Sequence, residues 1–328
     1  MRRALVVGID DYPDHPLSCC VNDAIEIAST LETNADGSPN FSMKILTSNQ
    51  EQITRECLNL NIGKLFSTDA DTVLFYFAGH GIINPDTNAG YIVSQDGKDY
   101  AWGVSISEIV GLANKAYPKI KSTIIILDCC HAGFAGQVSG LDENISIIGT
   151  GVTILTACGN NEASQESQNH GLFTEMLLDG LRGSASDICG RVTPASIYAH
   201  IDQTLAGWEQ RPIYKANVRT FITLRNVPPK VPLEILRKLP EYFEDPTSVF
   251  SLDPSFEPDR KNIPDEFKKI PINQTNVLIF KELQQCNRHG LIKPVDVEHM
   301  YDAAISSTGC KLTALGVHYR KLSKLKRI

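Results

Sequence analysis

The sequence predicts an α/β protein with a mostly parallel sheet, followed by a smaller, mainly helical part. Three observations predict it. The runs VLFYFA and TIIILD are apolar throughout, the pattern of strands covered on both faces. Apolar runs alternate with helical periodicity over the first two thirds of the chain, the signature of a parallel sheet with helices on both sides. After Asn226 the texture changes to a proline- and charge-rich stretch and then to a compact helical pattern. In order, the strands are expected at Ala4–Ile9, Met43–Leu46, Thr72–Ala78, Ser122–Asp128, Val152–Thr156 and Val218–Leu224. Helices are expected near Asn22–Leu31, Gln50–Phe66, Ser105–Ala116, Leu172–Leu181 and Pro194–Ala206. This gives three parts: an α/β domain over 1–226, a linker over 227–275 with one helix at Leu233–Phe243, and a small helical domain over 276–328. In the last part Gly290 ends one helix, Pro294 precedes another, and Leu315–Leu325 forms a basic third.

At 328 residues, 42% of them hydrophobic, the chain has ample material for a core and favours two domains. No apolar run approaches the ~20 residues of a membrane-spanning helix. The start, MRRALVVGIDDY, reads as a first strand rather than an export signal, so a cytoplasmic location is expected. Nine cysteines lack a framework spacing, which fits reduced thiols and no structural zinc; no metal site is expected. The net charge of −7 divides unevenly, −10 over residues 1–226 and +3 over 227–328, so the two parts should meet different partners.

In a parallel α/β sheet, ligands meet the carboxyl ends of the strands. LFYFAGHG places His80 just past the third strand, and IIILDCCHAG places Cys130 just past the fourth. If these strands are neighbours, their loops lie side by side. A thiol becomes a nucleophile when a nearby base favours the thiolate. The backbone amides of Gly81 and Cys130 are the candidate oxyanion hole, and glycine lets the chain approach a substrate carbonyl closely.

These segments resemble the metacaspases. YFAGHG is similar to the family motif Y-S-G-H-G, and LDCCHAG to D-S-C-H-S-G. LVVGIDDYPDHPLSCCVNDA resembles the family's opening strand, loop and C-x-N-D-A helix start, and LTACGNNEASQE and GLFTEMLLDGL resemble segments after the nucleophile. The resemblance covers about residues 1–226. It implies the caspase-hemoglobinase three-layer fold, with a mostly parallel six-stranded sheet, and cysteine peptidase activity. It assigns the base to His80 and the nucleophile to Cys130, with Cys129 and Ala132 in place of two family serines; His131 is a bystander. It also implies that Asp23 and Asp128 line the pocket for the substrate residue preceding the cut (P1). Two carboxylates there favour Arg or Lys, whereas true caspases, which cut after Asp, need basic residues. One alternative is an acidic P1 preference; another reads Asp23 as a helix N-cap, a role that Asn22 could fill equally.

From Ser122 to Leu181 there is no Lys or Arg, so an enzyme cleaving after basic residues cannot cut itself there. Lys230, Arg237, Lys238, Arg260, Lys261, Lys268 and Lys269 in the expected linker are the self-cleavage candidates. Family members often need calcium, but neither Asp10-Asp11-Asp14 nor Asp69-Asp71 has EF-hand spacing, so no cofactor is expected from a motif. The C-terminal part resembles a winged helix-turn-helix. Leu312, Leu315, Val317, Tyr319, Leu322 and Leu325 partly fit a core-facing stripe. Its small basic excess favours a regulatory protein partner over nucleic acid, although a DNA-binding regulator is the alternative role. A short caspase-like domain with such a tail resembles bacterial proteins that couple peptidases to defence or cell-death (antiviral) systems, a resemblance that implies a protein substrate; no membrane is expected.

Overall fold

The computed structural model describes residues 1–98, 101–129, 147–157, 170–205, 211–259 and 265–328. It divides into two compact units, Met1–Pro228 and Pro229–Ile328.

The first unit begins with β1 (Arg2–Gly8), α1 (Cys20–Glu32), β2 (Ser42–Thr47), α2 (Arg55–Ser67) and β3 (Thr72–Ala78). An antiparallel excursion follows, formed by β4 (Gly81–Ile83), β5 (Gly90–Lys98) and β6 (Ala101–Ser105). The sheet resumes after α3 (Ile106–Ala116) with β7 (Ser122–Asp128) and β8 (Val152–Thr156). Then come α4 (Leu172–Asp179), β9 (Arg191–Val192), α5 (Pro194–Thr204), β10 (Ile213–Asn217) and β11 (Arg225–Asn226). The main sheet has six strands among the described residues, ordered β10-β8-β7-β3-β1-β2, all parallel except the edge strand β10.

Alternation along each strand builds two core layers. Val73, Phe75 and Phe77 of β3 join Ile125 and Leu127 of β7 against α2 and α3, with Leu58, Ile62, Ile109 and Ala113. The intervening Leu74, Tyr76, Ile124 and Ile126 pack on the other face against α1, α4 and α5, with Ile27, Leu31, Leu177 and Ile197. Burial on both faces explains why β3 and β7 carry no exposed position.

One strand differs from expectation. The sixth is Ile213–Asn217, paired antiparallel to β8, rather than Val218–Leu224. The residues after it lie in irregular structure, where Leu224 and Ile222 nonetheless pack into the second layer. An apolar run that fills a core as coil reads locally like a strand.

The second unit contains α6 (Leu233–Tyr242), β12 (Val249–Phe250), α7 (Asp265–Lys268), α8 (Gln274–Arg288), β13 (Ile292–Pro294), α9 (Met300–Ile305), β14 (Cys310–Leu312) and α10 (Ala314–Lys324). The expected linker over 227–275 is corrected here, because its α6 packs on α10 and its β12 pairs with β14. Together with β13 these strands make a small antiparallel sheet, β12-β14-β13. Phe243, Phe250, Phe256 and Phe280 form a chain of tilted and edge-on ring contacts that ties residues 243–256 to α8. The expected apolar stripe on the last helix is also corrected. Gly316, Tyr319 and Arg320 face inward, while Leu315 and Leu325 are exposed. Gly316 is required there, since a Cβ would lie 1.9 Å from the carbonyl oxygen of Leu291. The buried Arg320 donates to the carbonyls of Phe243 and Glu244 at the end of α6.

Candidate active site

β1 and β3 are neighbours in the sheet, yet the chain leaves β1 toward β2 on the opposite side. A crevice opens at such a switch point, beyond the carboxyl ends of the strands. The loop after β1 supplies one wall. Its turn is closed by the amides of Tyr12 and Leu17, both donating to the carbonyl of Asp10 at 2.9 Å. The Asp10 carboxylate accepts the amides of Cys20 at 2.8 Å and Val21 at 3.1 Å, capping the first turn of α1. Asp10 therefore has a structural partner. Asp71 likewise pairs with the N-terminal amine at 2.8 Å and Lys121 at 3.3 Å. Among the described residues no group of three or more His, Cys, Asp or Glu could hold a metal ion.

His80 follows β3 and is fixed at three points. Its amide donates to the Tyr12 hydroxyl oxygen at 3.0 Å, and its carbonyl accepts the amide of Val93 at 2.9 Å. Its ring lies 4.6 Å from the Tyr12 ring, centre to centre, tilted at 54°. The Tyr12 hydroxyl in turn donates to the carbonyl of Val93 at 3.1 Å. Burial raises the Tyr12 phenol well above its ordinary pKa, so it stays neutral and can both donate and accept. The Nε2 of His80 lies 2.6 Å from the carbonyl oxygen of His15. A carbonyl only accepts, so Nε2 carries the proton, and in the neutral ring Nδ1 is the basic nitrogen. Tyr12, His15, His80 and Gly81 line a cleft of about 240 Å³.

The end of β7 is tied to the same place. Ala78 pairs with Asp128 across β3 and β7, and the amide of Gly79 donates to the Asp128 carbonyl at 3.3 Å. Cys129 is buried immediately after it. Cys130 and His131 lie outside the described residues.

Asp23 and Asp128 meet on the other side of the sheet, at the amino end of α4. A Cβ on Gly171 would lie 2.8 Å from Asp128 Oδ2 and 3.3 Å from Asp23 Oδ2. Asp23 is 1% exposed and Asp128 5%. Asp23 accepts the amide of Gly171 at 3.1 Å on Oδ2, and its Oδ1 lies 2.6 Å from Nδ1 of His170. Burial pushes its carboxyl up to about 7, with the Asp128 charge adding and the Gly171 and His170 contacts opposing. Asp128 accepts from the Thr174 hydroxyl at 2.7 Å, and that oxygen is 2.7 Å from the Tyr76 hydroxyl. Since threonine's single proton goes to Asp128, Tyr76 donates to Thr174. Asp23 is not the N-cap of α1: that position is Cys19, and Asp10 serves the first amides from outside the helix.

Of the expected site residues, the structure thus brings His80 and Gly81 to one cleft and pairs Asp23 with Asp128. The positions of Tyr12, the His15 carbonyl, His170 and Thr174 were not singled out from the sequence. Tyr12 and Thr174 do sit inside segments that carried the family resemblance, LVVGIDDYPDHPLSCCVNDA and GLFTEMLLDGL, whereas His170 lies just before the second.

A parallel sheet with helices on both faces and a histidine poised beyond its central strand is the architecture of a caspase-type cysteine peptidase. The caspase domain family model matches residues 1–222, and the chain belongs to that family. The fold is similar to that of protein GSU0716 from Geobacter sulfurreducens, with a TM-score of 0.50, 18% identity, and 70% of this chain covering 97% of that one. It is also similar to Caspase-1 from Spodoptera frugiperda, with a TM-score of 0.51, 12% identity, and 69% of this chain covering 90% of that one. A comparison with curated proteins finds no match. The chain is a cysteine-type peptidase, and among the described residues no helix is long and apolar enough to cross a membrane.

Proposed function

We propose that the chain is a cytoplasmic endopeptidase that cleaves proteins after Arg or Lys, with His80 as general base and Cys130 as nucleophile. The observation that carries the dyad is the short contact from His80 Nε2 to the His15 carbonyl. It commits that nitrogen to donation and leaves Nδ1 to take a thiol proton. The thiolate then attacks the scissile carbonyl, and the amides of Gly81 and Cys130 stabilise the oxyanion. The protonated His80 returns its proton to the leaving amine, and water hydrolyses the acyl-enzyme. The basic P1 preference is supported by the buried pair Asp23 and Asp128, which a cationic side chain complements and an acidic one opposes.

A panel of fluorogenic peptides differing at P1 tests both parts. Cys130→Ala should abolish turnover, and His80→Ala should lower kcat by about 10²–10⁴-fold. Asp23→Ala should raise KM for Arg substrates. Efficient cleavage after Asp but not after Arg would remove the pocket assignment and leave the dyad standing. The second unit is proposed as the sensing module, bound by a regulatory protein in a bacterial defence or cell-death system. Its exposed Lys311, Lys321, Lys324, Lys326 and Arg327 suit an acidic surface on that partner.

A further inference from the structure

Asp23 is already occupied. His170, the residue before Gly171, places Nδ1 2.6 Å from Asp23 Oδ1 and Nε2 2.9 Å from Glu26 Oε2. Both ring nitrogens therefore face carboxylates. A neutral imidazole donates from one nitrogen only, so the two contacts need an imidazolium or a second proton on one of the acids. The side chain of His170 is 16% exposed against 2% for Asp23, which makes the imidazole the more solvent-facing of the two. Among the described residues, the Asn22 amide of α1 lies 3.5 Å from Nδ1, and the Gly171 amide donates to Asp23. Asp128 of β7 adds negative charge, and Arg182 pairs with Glu26. Among the described residues, three carboxylates thus share one guanidinium and one imidazole.

We infer that His170 is a specificity-determining residue, an internal stand-in for the P1 cation that the substrate must displace from Asp23. This rests on the basic-P1 reading and deepens it. An imidazolium offers Asp23 a single N–H, whereas a guanidinium offers a two-pronged fork and keeps its charge at every physiological pH. Arginine is therefore the side chain best able to win the exchange. A ligand lacking a positive charge leaves His170 in place and the pocket closed. Glu26 keeps Arg182 as a partner when the imidazole swings away, so the exchange strands only the ring that leaves.

The test compares wild type with His170→Ala on an Arg-P1 fluorogenic peptide at about pH 8.5, where Asp23 is ionised. The expected result is a KM lowered roughly three- to tenfold, the scale of one charge-assisted contact, with kcat within about twofold. An unchanged KM, or a fall in kcat alone, makes His170 a structural residue and overturns the inference. A wild type that cleaves after Asp and not after Arg instead sinks the basic-P1 reading. A second measurement needs neither turnover nor a stable variant. Agmatine, a small guanidinium, is titrated into wild-type protein while the histidine Cε1–H resonances are followed. Movement of the His170 signal to that of a solvated imidazole supports displacement. Saturation by agmatine with that signal unmoved refutes it, and failure of agmatine to bind at all refutes the cationic pocket.

Discussion

Tyr12 holds the candidate base through both its hydroxyl and its ring. Its hydroxyl joins the His80 amide to the Val93 carbonyl, and its ring packs on the imidazole. Tyr12→Phe keeps the ring and removes both hydrogen bonds, leaving a partly buried N–H and C=O without that partner. The expected cost is about 1–3 kcal/mol in stability and a severalfold lower kcat at unchanged KM. A raised KM with normal kcat would show that Tyr12 serves substrate binding instead. Asp23 makes a second prediction at this scale. Its folded pKa of about 7 lies above the ordinary carboxyl value of 3.8. Its contribution to stability is thus complete below pH ~4 and is lost as pH rises through ~7. Asp23→Asn escapes that loss, so its melting temperature should gain on wild type between about pH 5 and pH 8. The gain corresponds to at most roughly 4 kcal/mol at ~1.4 kcal/mol per pH unit. A constant difference across that range would argue that Asp23 is already ionised in the folded protein at about pH 5. Neither Tyr12 nor His170 could be assigned a role from sequence, because their partners stand 68 and 147 residues away.

Among elements, the central strands were the most legible. Burial of β3 and β7 along almost their whole length is met by the apolar runs VLFYFA and IIIL, which are visible in the sequence. The excursion β4–β6 was not read as strands. β5 alternates buried and half-buried positions only as far as Ser94, and its pairing with β6 shifts register, so its period-2 signal is short. The antiparallel edge strand was placed five residues late, since pairing with β8 rather than local composition fixes where β10 begins. In the second unit, α6 depends on α10 through Arg320, whose guanidinium serves the carbonyls at the α6 terminus. Arg320→Met retains most of the volume and removes the donors. It should increase amide hydrogen exchange across 233–250 and 314–324 in the intact protein, with the exchange of β1–β3 unchanged. Equal deprotection in both units would mean that they unfold as one.

At the scale of the whole chain, the charge asymmetry now maps onto two compact units rather than onto a domain, a linker and a tail. This changes where self-cleavage is expected. Arg237 and Lys238 lie within α6, and Lys238 is paired with Glu282 at 2.6 Å, so neither offers the extended backbone a peptidase needs. Arg260 and Lys261 lie outside the described residues. Lys230, exposed just past the boundary between the units, is the preferred site. Sequencing new N-termini after incubating wild type beside Cys130→Ala should find a cut after Lys230 in wild type only. A cut within 122–181, where there is no basic residue, would overturn the proposed specificity.

By itself the sequence determined the doubly covered parallel sheet, the order of its helices, the caspase family and the place of His80 just past β3. Each of these is written in local periodicity or in contiguous motifs. Only the tertiary structure decided which nitrogen of His80 meets the His15 carbonyl, that Asp23 and Asp128 share the end of α4, and that His170 already sits on Asp23. It also decided that residues 229–275 belong to a folded unit. Those outcomes depend on a carbonyl 65 residues from its donor, on amides at a helix end, and on the burial that shifts a carboxyl, none of which leaves a local pattern.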